Sequence, residues 1–155
     1  MLFVICYLLF VLCCWGWLLA TVPFERLEIY RLAERLSDEI WGVVLPWDSF
    51  AKETVGRQLV RAVDSIGANI AEGSGRGSFQ DNRRFVRIAR GSLNETKHWL
   101  RRAFTRGLLT KSQIASLKPL LDELAPRLNA YLNSITRNIT KEQPTANKQP
   151  ITNNQ

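Results

Sequence analysis

Apolar residues recur at steps of three and four along most of the chain, and the pattern divides it into amphipathic helices. In FERLEIYRLAERLSDEIWGVVL (24–45), Leu27, Tyr30, Ala33, Leu36, Ile40 and Val44 form one stripe, and Pro46 ends the helix. PWDSFAKET reads as a short connection. A second helix is predicted from about Thr54 to Glu72, with Val55, Leu59, Ala62, Val63, Ile66 and Ile70 on its apolar face. Gly73 fits the left-handed position that closes a last turn. The third helix follows Ser78, a good N-cap, with Asp81 in the first turn where the helix dipole favours an acid. It runs to about Arg106, before Gly107, and buries Phe85, Ala89, Leu93, Leu100 and Ala103, with Val86 and Trp99 flanking. TKSQ (110–113) has the spacing of a capping box. The fourth helix that it opens carries Ile114, Leu117, Leu121, Leu124, Leu128, Tyr131, Leu132 and Ile135. Pro119 and Pro126 interrupt that pattern, and Pro126 should kink the helix. Nothing alternates as a strand would. Four helices on short loops predict an all-α fold, an antiparallel up-down four-helix bundle, over residues 24–138.

The two ends differ from this body. Residues 2–22 are nearly all apolar, and no charged side chain precedes Glu25. As an extra N-terminal helix they would be about 31 Å long, enough to cross a bilayer. Trp15 and Trp17 suit a membrane interface. The stretch lacks the basic start of a secretory signal and is long for one. With Arg26, Arg31 and Arg35 just downstream, a spanning segment would leave the bundle in the cytoplasm, tethered to the inner membrane through residues 2–22. The rival reading is a translation start placed too far upstream, with the working chain beginning near Pro23. Either way residues 1–23 are a leader and the bundle is expected to be cytoplasmic. The tail, 139–155, is polar and rich in Pro, Asn and Gln, and is expected to be disordered.

The formal net charge of +7 favours acidic partners, nucleic acid first among them. On the third helix Arg83, Arg87, Arg90, Lys97 and Arg101 follow steps of four, three, seven and four. They fall within roughly ±40° of one line at about 100° per residue. Arg84, Arg102 and Arg106 widen the region, and Arg76 precedes it. Such a row can track a phosphate backbone, with weak sequence preference. An ordinary solvated face is the bland alternative. Few aromatics interleave the row, so base stacking is not expected to dominate.

Other constellations carry less chemistry. Arg61, Ser65, Asn69 and Glu72 lie on one flank of the second helix, where Ser92 and Glu95 could face them. Glu72 and Glu95 as an acid/base pair is one reading. A structural polar network that fixes helix register is the preferred one. ETKH (95–98) has the Glu-x-x-His spacing of di-iron bundles, but His98 is the single histidine, and such sites need two motifs. Cys6, Cys13 and Cys14 all lie in the leader. No metal, cofactor or catalytic residue is therefore expected. GSGRGS (73–78) lacks the lysine and preceding strand of a phosphate loop and reads as a chain reversal.

At SIGANIAEGSGR and ARGSLNE the chain resembles a family of small bacterial four-helix bundle proteins. Some of these are encoded by intervening sequences within large-subunit ribosomal RNA genes. The accessory variability determinant of diversity-generating retroelements is a relative. The matching residues are Arg61, Ala62, Ser65, Ile66, Asn69, Ile70, Ala71, Glu72 and Gly73, then Phe85, Ala89, Gly91, Ser92, Leu93 and Glu95. The likeness covers roughly residues 24 to 135. Gly67 stands where the family usually has proline, and the apolar leader is foreign to it. The resemblance implies a homo-oligomer, a pentameric barrel of bundles, without enzymatic activity. From the retroelement relative it also implies binding of nucleic acid and of a reverse transcriptase. The leading expectation is a non-enzymatic, homo-oligomeric bundle that binds nucleic acid or a nucleic-acid enzyme. The alternative is a scaffold or membrane-tethered interaction module with no nucleic-acid role.

Overall fold

A computed structural model describes residues 23–142. Among the described residues every regular element is helical. A 3₁₀ turn, Phe24–Arg26, leads into α1 (Glu28–Val44). After the connection come a single helical turn, Ser49–Ala51, a π-helical turn, Lys52–Gly56, and then α2 (Arg57–Ser74). The last two helices are α3 (Phe79–Thr105) and α4 (Lys111–Glu142). The expected leader helix (2–22) and the tail from 143 onward lie outside the described residues. No helix of the described residues is long and apolar enough to cross a membrane.

Local chemistry sets several boundaries. The Asp81 backbone N–H donates to Ser78 Oγ at 3.1 Å, which caps α3. Thr110 and Gln113 form the reciprocal box: the Gln113 N–H donates to Thr110 Oγ1 at 3.2 Å, and the Thr110 N–H donates to Gln113 Oε1 at 2.9 Å. Gly107 takes φ +73°, and the Leu108 N–H reaches back to the Ala103 carbonyl at 2.9 Å. That pair of features is the glycine-closed helix end, open to a residue without Cβ.

Three expectations need correction. The second helical segment begins at Ser49 rather than near Thr54, because Asp48 accepts from the Ala51 N–H at 2.9 Å and caps it. Gly73 is helical, not left-handed; α2 continues to Ser74 and Gly75 follows at φ −81°. Its glycine is a packing requirement. A Cβ there would lie 2.9 Å from Asn82 Oδ1 and 3.0 Å from Phe85 Cβ, so any side chain would force α2 and α3 to shift. The fourth helix reaches Glu142, past the boundary set at 138, since Ile139 repeats the buried position of Ile135 one turn on. That helix also runs through Pro119 and Pro126. Both prolines are exposed, so the carbonyls that lose a donor face water.

Each helix has two neighbours: α2 packs on α1 and on α3, and α4 packs on α3 and on α1. This closes a four-helix bundle. Leu36 and Ile40 of α1, Leu59, Ile66 and Ile70 of α2, Val86 and Leu93 of α3, and Leu117, Leu124 and Leu128 of α4 are fully buried between them. Each contributes about 1.5–3 kcal/mol of burial. Small residues let backbones approach. The Gly67 Cα faces the Tyr30 ring, and a Cβ on Gly56 would lie 2.8 Å from Val44 Cγ1.

Candidate nucleic-acid interface

The cations of α3 lie on the side of the helix away from its buried residues. Arg84, Arg87, Arg90, Lys97 and Arg101 are exposed, and Arg83 and Arg102 are half-buried. Val86, Ala89, Leu93, Thr96 and Ala103 hold the other side of the helix in the core. From Arg83 to Arg101 the row spans about 27 Å, or roughly eight steps of a nucleic-acid strand. Four ion pairs form among the described residues, and none involves a cation of α3. Arg83 donates to Gln80 Oε1 at 3.1 Å, a neutral partner that leaves its charge uncompensated. Arg76 differs from the rest. It pairs with Glu72, and its guanidinium lies 5.0 Å from the centre of the Phe85 ring. Its charge is spent on closing the α2–α3 turn rather than on extending the row.

The opposite charge gathers elsewhere. Glu34, Asp38 and Asp64 line the outer groove between α1 and α2, with Ser37 donating to Asp64. At the edge of this groove burial pushes the Tyr30 phenol above its ordinary value, and Glu34 and Glu25 add to the shift. This groove is therefore negative where the outward side of α3 is positive.

The expected polar network is smaller than drawn from the sequence. Ser92 Oγ donates to Ser65 Oγ at 3.1 Å, and Asn69 Nδ2 donates to Ser65 Oγ at 3.0 Å and to the Ser65 carbonyl at 2.7 Å. Thr96, fully buried and absent from the expected set, donates to the Ser92 carbonyl at 2.8 Å. Arg61, Glu72 and Glu95 stay outside. Arg61 is exposed beside Trp41. Glu72 turns to Arg76, and Glu95 accepts from Trp99 Nε1 at 3.3 Å. Glu72 lies in the last turn of α2, next to Gly73, which meets Phe85, so Glu95 lies about 15 Å further along α3, too far for two carboxylates to act on one proton. Among the described residues no three His, Cys, Asp or Glu side chains gather as metal ligands. His98 is exposed and sits edge-on to Trp99 at 5.2 Å.

Sequence reasoning missed two apolar grooves. One, of about 430 Å³, lies between the end of α1 and the start of α2, with Trp41 and Leu45 each 58% exposed and Lys52, Arg57 and Arg61 at its rim. The other, of about 400 Å³, lies between α3 and α4 around Phe104. Exposed aromatics beside helix-ending residues were the available signal.

The family model of the 23S rRNA-intervening sequence protein matches residues 25–130, a span that holds the two motifs and the whole basic row. Among solved structures, the chain is similar to a protein with unknown function from the S23 ribosomal protein family of Bacteroides thetaiotaomicron VPI-5482. The two are 23% identical with a TM-score of 0.59, over 67% of this chain and 97% of that one. At that identity the likeness shows the fold alone. No curated protein matches the chain. With the family model spanning most of the bundle, the chain belongs to the 23S rRNA-intervening sequence protein family.

Proposed function

We propose that the protein is a non-enzymatic, homo-oligomeric bundle that binds nucleic acid through the outward face of α3. The observation that carries the reading is the row Arg83, Arg87, Arg90, Lys97 and Arg101, about 27 Å long and free of ion pairs among the described residues. Seven cations between residues 83 and 102 against one acid, Glu95, would be self-repulsive without an anionic partner. The family is named for intervening sequences of 23S rRNA and the neighbour's family for a ribosomal protein, so RNA is tested alongside DNA. The helices run antiparallel, up and down: Val44 lies by Gly56 and Tyr30 by Gly67, Ser65 bonds Ser92 while Gly73 meets Phe85, and Asn82 bonds Tyr131. Identical rows from several subunits, a pentamer in the reading drawn from the family resemblance, would add into one field. A reverse transcriptase is the protein partner that the retroelement relative suggests.

The test is an electrophoretic shift with RNA and DNA. Reversing Arg83, Arg87, Arg90 and Arg101 to Glu should abolish the shift while helicity stays intact. Unchanged binding would overturn the reading. A second reading, an interaction scaffold with no nucleic-acid role, is favoured by the exposure of Trp41, Leu45 and Phe50, the last 78% exposed. Loss of oligomer mass on changing Trp41 to Ala, with no nucleic-acid binding by the unaltered chain, would favour it.

A further inference from the structure

We infer that the groove between the end of α3 and the start of α4 takes one unpaired base of a single-stranded nucleic acid, stacked on Phe104, with Lys97 and Arg101 on the adjoining phosphates. The inference rests on the reading of α3 as the nucleic-acid face and names the form of ligand that face selects.

The groove follows from two helical patterns. Lys97, Leu100, Arg101 and Phe104 are spaced three, one and three apart and so share one side of α3. Ile114, Leu117, Lys118 and Leu121 do the same on α4. Set side by side they make an apolar floor with cations on both banks. Its volume of about 400 Å³ is in the range of small-molecule sites. Phe104 stands 46% exposed on the wall, although Leu117 beneath it is only 1% exposed.

Charge decides what fits. The one acid on the rim, Asp122, is held by Lys118. Lys97 and Arg101 have no carboxylate partner among the described residues, which leaves two positive charges facing the groove mouth. An apolar flat group joined to anionic links on either side satisfies both floor and rim, and a nucleotide in a strand has that form. The same two cations are the last members of the α3 row, so a strand following the row from Arg83 arrives at Phe104. Duplexes keep their bases stacked on one another and offer only backbone and edges. Stacking on a side chain requires a base already free of its partner.

The experiment uses the full chain, oligouridine as the single strand, a duplex RNA of similar length, and fluorescence anisotropy at one fixed salt concentration. Phe104→Ala should weaken oligouridine binding about 5- to 100-fold and leave duplex binding unchanged. Phe104→Trp should bind oligouridine at least as tightly as the unaltered chain. A variant with Arg83, Arg87 and Arg90 changed to Glu should lose both ligands. Equal effects of Phe104→Ala on both RNAs, or weaker binding by Phe104→Trp, overturns the inference. If the triple variant loses both ligands while Phe104→Ala loses neither, the α3 reading stands and the groove proposal falls. Failure of the unaltered chain to bind either RNA overturns both. A fall in oligomer mass on Phe104→Ala, read by native mass spectrometry, would assign the groove to a second copy of the chain and overturn the inference.

Discussion

The face that α3 turns to α2 and the face that it turns to solvent are built from unlike parts. Toward α2 the contacts are close and involve small groups: Ser92 against Ser65, and Asn82 and the Cβ of Phe85 against the bare Cα of Gly73. Toward solvent they are long and cationic, and carboxylates are nearly absent. Short residues let two backbones come together, and the contact is then specified to fractions of an ångström. Long charged residues specify no position, only a field. On the proposed reading, one helix carries a stability function and a binding function on separate sides, and changes to either side should leave the other unaffected.

The largest expected effect lies on the solvent side. Replacing Arg83, Arg87, Arg90 and Arg101 by Glu removes four positive charges and adds four negative ones. Binding should fall by a factor on the order of a hundred or more, and the salt dependence of what remains should flatten. The thermal midpoint should hold or rise, because like charges no longer crowd one helix. A drop in midpoint with retained binding would reverse the assignment of the two faces. On the core side Leu93→Ala should cost about 2–5 kcal/mol in chemical denaturation, since Leu93 is 2% exposed and deep between helices. The folded fraction of that variant should bind RNA with unchanged affinity.

The two faces were not equally legible in the sequence. The stripes, the Ser78 cap and the Thr110–Gln113 box depend on residues within a few positions of one another, and a sequence displays those relations directly. The cationic row was legible for the same reason: a helix fixes its phase. Gly73 was misread because its reason lies on another helix, in the approach of Asn82 and Phe85. The polar flank shows the same limit. Arg61, Ser65, Asn69 and Glu72 share a side of α2, but Arg61 and Glu72 stand up to about 80° from Asn69 around the axis. That rotation is enough to put them in solvent while Ser65 reaches Ser92. Phe104 lies beside the predicted stripe of the third helix, and its exposure depends on where the fourth helix packs, which the sequence does not display. The leader and most of the tail lie outside the described residues, so readings of them rest on sequence alone.

Gly73→Ala sharpens the contrast at intermediate size. Alanine is the better helix former by about 1 kcal/mol, yet its Cβ would press on Asn82 Oδ1, on Phe85 and on the Asn82 carbonyl at 3.3 Å. Asn82 Oδ1 is buried and its amide nitrogen donates to Tyr131 Oη at 3.2 Å, so the side chain cannot swing away without losing that bond. Overpacking of this kind costs about 1–3 kcal/mol, and a net loss of stability is expected. Ser92→Ala should cost less, about 0.5–1.5 kcal/mol. Asn69 still supplies a donor to Ser65 Oγ, so no buried acceptor is orphaned.

The smallest effect is the sharpest test of the division. Gly91 sits on α3 one residue from Ser92, exposed, with nothing within 4 Å of where a Cβ would go. The same substitution that should destabilise at Gly73 should therefore stabilise here, by about 0.5–1 kcal/mol, because only the backbone entropy of the unfolded chain changes. A methyl group among the cations adds no charge, so RNA affinity should stay within error while the denaturation midpoint rises. Opposite signs for Gly73→Ala and Gly91→Ala, in the same assay, would establish that the two sides of α3 obey different constraints. If Gly91→Ala instead lowers stability, some partner covers that position in solution, and the outward side of α3 is a packed interface rather than an open field.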